Sequence, residues 1–103
     1  MTDSASPLEF VKSEIRSSDV VVFSKSYCPY CTTTKKLFSS MNIEAKVIEL
    51  NKIDNGAKIQ SALLEISGQR TVPNVYIKGR HLGGNDDTHA AWRSGKLEEM
   101  LKK

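Results

Sequence analysis

Four apolar residues in a row, Val20-Val21-Val22-Phe23, carry β-branched and aromatic side chains with no polar alternation. A strand built from them has no wet face, so the fold must cover it on both sides. Cys28-Pro29-Tyr30-Cys31 follows after four residues, and a helical pattern runs behind it from Thr32 to Ser40. The loop between strand and helix is therefore tight. A second short apolar run, Val47-Ile48-Glu49-Leu50, reads as another strand. Strand, helix and strand in this order imply parallel pairing through a right-handed crossover.

The remaining elements fit around this unit. Ser6, Pro7 and Glu9 form an N-terminal helix signature: a cap, a first-turn proline and an acid three residues after the cap. Leu8, Val11 and Ile15 then share one face, and Ser17-Ser18-Asp19 breaks the pattern. In the second helix, Cys31, Lys35, Leu37 and Phe38 are expected to form the inner edge. Asn55-Gly56 closes a loop, Ile59, Ala62, Leu63 and Ile66 make a helical stripe, and Gly68 ends it. Val75-Tyr76-Ile77 reads as a strand, Lys78-Gly79-Arg80 as a turn, and His81-Leu82 as a strand pairing back. Gly83-Gly84 is expected to be flexible, with Asp86-Asp87 capping a helix that runs through Trp92. Ser94-Gly95 interrupts, and Leu97, Met100 and Leu101 form a last amphipathic segment. The fold class is α/β, a mixed sheet of about four strands with helices on both faces.

Residues 1–103 are expected to form a single domain, with residues 1–6 as a flexible N-terminus. The composition, 39% hydrophobic and 26% charged, is too apolar for a disordered chain, and two cysteines cannot staple a disulfide scaffold. The longest apolar run is too short to cross a bilayer. The first six residues have neither the apolar stretch of a signal peptide nor the arginines of a transit peptide, so a cytoplasmic location is expected. The 15 basic and 12 acidic residues are scattered, which argues against a nucleic-acid or membrane surface while tolerating a small anionic ligand.

Both cysteines of the chain lie in Cys28-Pro29-Tyr30-Cys31. At the first turn of a helix, side chains three apart are neighbours and can close a disulfide. Cys28 is expected at the helix start, among unpaired N–H groups and the positive end of the dipole, where a thiolate is stabilised. Cys31, deeper in the turn, is expected to be more buried and to resolve a disulfide formed at Cys28. A reducing compartment opposes a structural disulfide. A zinc site would need His81 and His89, whose spacing of eight fits no finger pattern. Thr32 follows Cys31 where haem attachment requires His. Two further stretches could serve a ligand. Pro73, just before a strand, reads on the residues alone as an ordinary trans edge proline; a cis bond would free the N–H and C=O of Val72 for an extended ligand. Gly83-Gly84-Asn85-Asp86-Asp87 reads most simply as a capped turn, though free N–H groups suit a carboxylate and an Asp suits an ammonium.

Together and in order, Lys25-Ser26-Tyr27-Cys28-Pro29-Tyr30-Cys31 with Lys35, Gly68-Gln69-Arg70-Thr71-Val72-Pro73, Gly83-Gly84-Asn85-Asp86-Asp87 and Ser94-Gly95-Lys96-Leu97 resemble the dithiol glutaredoxins. The resemblance covers the chain from Pro7 onward. It implies the thioredoxin fold, a cis bond before Pro73, and a glutathione-dependent oxidoreductase that reduces glutathione mixed disulfides and protein disulfides. Cys28 is then the nucleophile and Cys31 the resolving thiol. Lys25, Gln60 and Arg70 would meet the glycyl carboxylate of glutathione. Val72, beside Pro73, would bond the cysteinyl part, with Tyr30 and Thr71 also in contact. Asn85 and Asp86 would bind the γ-glutamyl carboxylate through N–H groups, and Asp87 the ammonium. Asp86 stands where the family usually has Ser, and Thr88 where it usually has Leu. The same resemblance implies no permanent cofactor or metal, glutathione as reducing co-substrate, glutathionylated or disulfide-bonded proteins as partners, and a monomer. Two alternatives are a thioredoxin-like protein disulfide reductase and a glutathione-ligated iron–sulfur carrier; Pro29, where such carriers tend to have a smaller residue, speaks against the second.

Overall fold

The computed structural model describes residues 6–102. The expected flexible segment falls almost wholly on residues 1–5, outside the described residues. Helix α1 (Pro7–Ser17) opens with the Ser6 hydroxyl accepting the Glu9 N–H at 3.2 Å. Strand β1 (Val20–Ser24) leads to α2 (Pro29–Ser40), then β2 (Lys46–Glu49) and a 3-10 turn (Leu50–Lys52). Next come α3 (Gly56–Ser67), the hairpin β3 (Asn74–Ile77) and β4 (Arg80–Gly83), α4 (Asn85–Ser94) and α5 (Lys96–Lys102).

The sheet order is β2-β1-β3-β4, with β1 parallel to β2 and antiparallel to β3, and β4 antiparallel to β3. This is the mixed four-stranded sheet expected. Alternation within β1 sends Val21 and Phe23 to one face and Val20 and Val22 to the other. The first pair packs with Val11 and Ile15 of α1, Ile59 and Leu63 of α3 and Tyr76 of β3. The second packs with Phe38 of α2, Ala91 of α4 and Leu97 and Met100 of α5. Each face thus has its own core, and β1 is buried along its whole length. No helix among the described residues is long and apolar enough to cross a membrane.

The structure corrects several boundaries. Helix α2 begins at Pro29 rather than Thr32, because proline fits a first helical position without needing a donor. Its buried edge contains Thr34; Lys35 instead pairs with Glu49 at 2.9 Å. Strand β2 starts and ends one residue early, and Leu50 turns into the core. Gly83 is not part of a flexible link but a buried residue of β4. The hairpin turn has Lys78 at φ 50° and Gly79 at φ 84°, the two positive values of a tight turn matched to strand twist.

Gly56 is the tightest point between elements. A Cβ there would lie 1.9 Å from the Leu50 carbonyl oxygen, so the backbone itself would have to move. Gly56→Ala is expected to cost about 1–3 kcal/mol, the usual range for overpacking, read as a lower urea midpoint at unchanged slope. An unchanged midpoint would show that the turn before α3 yields freely.

Candidate active site

Strand β1 ends in the core, and the chain must turn sharply to start α2. Ser26 and Asn51 lock that turn: the Ser26 N–H donates to Asn51 Oδ1 at 3.0 Å, and Asn51 Nδ2 donates to Ser26 Oγ at 2.8 Å. The Cys28 N–H donates to the Lys25 carbonyl at 3.0 Å. Cys28 then becomes the N-cap of α2, with extended backbone, and its Sγ accepts the Cys31 N–H at 3.3 Å. A negative charge on this sulfur is favoured by that donor and by the helix dipole.

Both cysteines are free thiols, Cys28 half-buried and Cys31 fully buried. Burial pushes the Cys31 thiol up, and the neighbouring Cys28 acts in the same direction. The Lys25 backbone and the Ser24 hydroxyl pull it the other way. One sulfur is thus reachable at the helix start, and the other lies behind it, where burial disfavours its charged form.

The Val72–Pro73 bond is cis, and the Val72 carbonyl accepts from Cys28 Sγ at 3.9 Å. Here opens a groove of about 530 Å³. Tyr30, an exposed aromatic at the start of α2, forms one part of its lining. Thr71, Val72 and Pro73 form a second part, and Gly84 to Asp87, at the start of α4, a third. Seven of the residues expected to bind a ligand therefore meet here: Tyr30, Thr71, Val72, Pro73, Asn85, Asp86 and Asp87.

Lys25, Gln60 and Arg70 stand outside this lining. Gln60 Nε2 donates to the Arg70 carbonyl at 2.7 Å, which places those two together. Lys25 joins the cysteine turn through its backbone.

At the start of α4 the N-cap is Gly84, not Asp86 or Asp87. Asp87 caps from the third helical position, its Oδ2 accepting the Gly84 N–H at 3.3 Å. The carboxylate rests on Gly83, where a Cβ would come within 2.3 Å of Oδ2 and where φ is +130°. Glycine is required there for both reasons. Thr88 is fully buried, its hydroxyl donating to the Gly84 carbonyl at 2.8 Å. The N–H groups of Asn85 and Asp86, in the first turn, have no helix partner of their own.

Gln69 was not among the expected binding residues. It lines the groove, and its Nε2 donates to the Thr71 carbonyl at 3.0 Å and the Pro73 carbonyl at 2.9 Å. It holds the two peptide oxygens on either side of Val72. Its signals in sequence are its place in the stretch of residues 68–73 and a polar side chain directly after the Gly68 helix end. Among the described residues no group of three or more His, Cys, Asp or Glu side chains lies close enough to hold a metal ion.

The glutaredoxin family model matches residues 20–82. Glutaredoxin-C8 of Oryza sativa subsp. japonica is 50% identical over 99 residues, spanning 94% of this chain and 73% of that protein. Glutaredoxin-1 of Saccharomyces cerevisiae is 46% identical over 99 residues, spanning 92% of this chain and 90% of its own. The crystal structure of a buckwheat glutaredoxin–glutathione complex superposes with a TM-score of 0.91 at 46% identity, over 93% of this chain and 87% of that one. The sheet order and the two-sided helical cover are those of the thioredoxin fold. With half its residues shared across nearly its full length, and with a sulfur-capped helix facing a groove, this chain belongs to the glutaredoxins, the glutathione-dependent thiol–disulfide oxidoreductases.

Proposed function

We propose that this chain removes glutathione from mixed disulfides, with Cys28 as nucleophile and Cys31 as resolving thiol. The observation that carries this reading is the position of Cys28 Sγ, which accepts the Cys31 N–H at the start of α2 and sits 3.9 Å from the Val72 carbonyl at the groove. The Cys28 thiolate attacks the glutathionyl sulfur, forming a Cys28–glutathione disulfide. The target leaves as a thiolate and takes a proton from solvent. A second glutathione thiolate attacks the glutathionyl sulfur, releasing glutathione disulfide and the Cys28 thiolate. With a protein disulfide, the Cys28 thiolate attacks one sulfur and frees the other as a thiolate. Cys31 then loses its proton and attacks the Cys28 sulfur, releasing the target's second thiolate and leaving an intramolecular disulfide. Two glutathiones reduce that bond as they become glutathione disulfide.

In this reading the ligand lies along the groove. Its glycyl carboxylate meets Lys25, Gln60 and Arg70, and its cysteinyl part pairs with the backbone of Val72 beside Thr71, Pro73 and Tyr30. Its γ-glutamyl carboxylate takes the N–H groups of Asn85 and Asp86, and its ammonium the carboxylate of Asp87. The pairing of N–H donors with an adjacent acid at the start of α4 supports an α-amino acid head there. The buckwheat relative was solved in complex with glutathione. The chain is proposed to act as a single-domain monomer on glutathionylated or disulfide-bonded proteins in a reducing compartment such as the cytosol.

Three outcomes test the reading. In a coupled assay with a glutathione mixed disulfide, Cys28→Ser should be inactive while Cys31→Ser keeps most of its activity; the reverse pattern would sink the assignment of roles. Iodoacetamide at pH 7 should add one group, at Cys28. Labelling of Cys31 should begin only above the ordinary thiol range of about 8.5, since burial raises that thiol. The folded state then holds a proton that the unfolded chain has lost, so stability should fall as pH rises through that window. Equal labelling of both thiols at pH 7 would contradict this. Finally, the exposed Asp86 carboxylate lies in the groove beside the proposed γ-glutamyl carboxylate. Asp86→Ser should lower KM for the glutathione substrate by about two- to fivefold, the scale of an exposed charge pair. It should also lower Tm slightly, because an acid in a first turn favours the helix; a raised KM would show that the acid helps the ligand.

A further inference from the structure

Three threonines stand in a row on α2, and they behave differently. Thr32 Oγ1 donates to the Cys28 carbonyl at 3.3 Å and Thr33 Oγ1 to the Pro29 carbonyl at 3.1 Å. Both bond back to their own helix four residues earlier, the usual outlet for a hydroxyl within a helix. Thr34 is fully buried, and its Oγ1 instead reaches Asn85 Oδ1 at 2.8 Å, across 51 residues of sequence. Asn85 is the first residue of α4 and lines the groove. Thr34 lies three residues beyond Cys31, on the same buried edge of α2.

We propose that Thr34 is a positioning residue that ties the dithiol helix to the start of α4 and so sets where a substrate carboxylate sits relative to the Cys28 sulfur. The proposal rests on the reading of Asn85 and Asp86 as the seat of the γ-glutamyl carboxylate. With Oδ1 taken by Thr34, the Asn85 side chain is fixed, and its Nδ2 donors have no partner among the described residues. Donors rather than an acceptor are left for the ligand, which suits an anion. Thr34 is wholly buried, so its hydroxyl has no water to turn to if the bond breaks. The two helices that begin at the groove are therefore held in one register, the first carrying the reacting sulfur and the second the anion seat.

The test uses single-turnover kinetics of the reduced enzyme on two mixed disulfides of the same chromogenic thiol. One carries glutathione; the other carries cysteinylglycine, which lacks the γ-glutamyl group. Thr34→Val, which keeps the side-chain shape and removes the hydroxyl, should raise the half-saturating concentration of the glutathione substrate about fivefold, the scale of one hydrogen bond. The limiting rate should stay within about twofold, and the cysteinylglycine substrate should be unaffected. Thr34→Ser should behave as the wild type. Asn85→Ala removes the Nδ2 donors together with the acceptor, so it should lose at least as much on the glutathione substrate, and Thr34→Ala should add nothing in that background. Thr34→Ala alone carries the test if Thr34→Val does not fold. Equal losses on both substrates, or none on either, would overturn the proposal. A wild-type enzyme that does not distinguish the two substrates would instead overturn the γ-glutamyl seat on which it rests.

Discussion

A sulfur atom caps helix α2, and the site is built outward from that bond. An N-cap side chain usually offers an oxygen to the free donors of the first turn. Here Cys28 Sγ accepts the Cys31 N–H, so the cap and the proposed nucleophile are the same atom. The arrangement requires α2 to start at one defined residue, which Pro29 secures by taking the first helical position. It also requires the turn before the cap to be rigid, which the paired Ser26–Asn51 bonds supply. Behind both stands β1, buried on both faces between two cores and unable to shift without disturbing either.

Two helices, α2 and α4, present their starts to the groove, and the segment ending in Pro73 runs between them. Helix starts favour negative charge. A ligand with anionic groups is therefore attracted without any dense patch of lysine and arginine. The proposed seat for a charged peptide therefore needs no more than the chain's net charge of +3. Asp87 adds the opposite sign at one end, and Gln69 keeps the peptide groups around Val72 in place.

Much of this was legible in the residues, and the failures have physical causes. Periodicity placed the helical stripes of α1 and α3 and the unalternating β1, because burial on a face leaves a repeating mark. It erred at Thr32 and Leu50, where a proline and a single inward turn decide the boundary rather than any repeat. Gly83-Gly84 looked flexible since glycine imposes nothing by itself. What makes Gly83 rigid is the Asp87 carboxylate lying on it, a contact four residues away that composition does not encode. Gln69 and Thr34 escaped for a related reason. Each is a common polar residue whose importance lies in the partner it reaches, and Asn85 is far from Thr34 in sequence. The cis bond before Pro73 was likewise beyond the residues alone and entered only through the resemblance to a family.

The two thiols come from one short motif yet occupy unlike surroundings, and helix geometry alone is enough to separate them. A cap residue lies outside the cylinder of the helix, so Cys28 keeps contact with solvent and with the free N–H groups. Two positions further than Pro29, the side chain of Cys31 is carried round to the face that packs on the sheet, and it is wholly buried there. Burial disfavours its thiolate, while Cys28 stands at the cap with the Cys31 N–H directed at its sulfur. The difference in surroundings follows from where a helix begins and which of its faces is covered. A third position on the same helix, Thr34, extends the logic to the ligand, since the face that hides Cys31 is also the face from which α2 can grip α4.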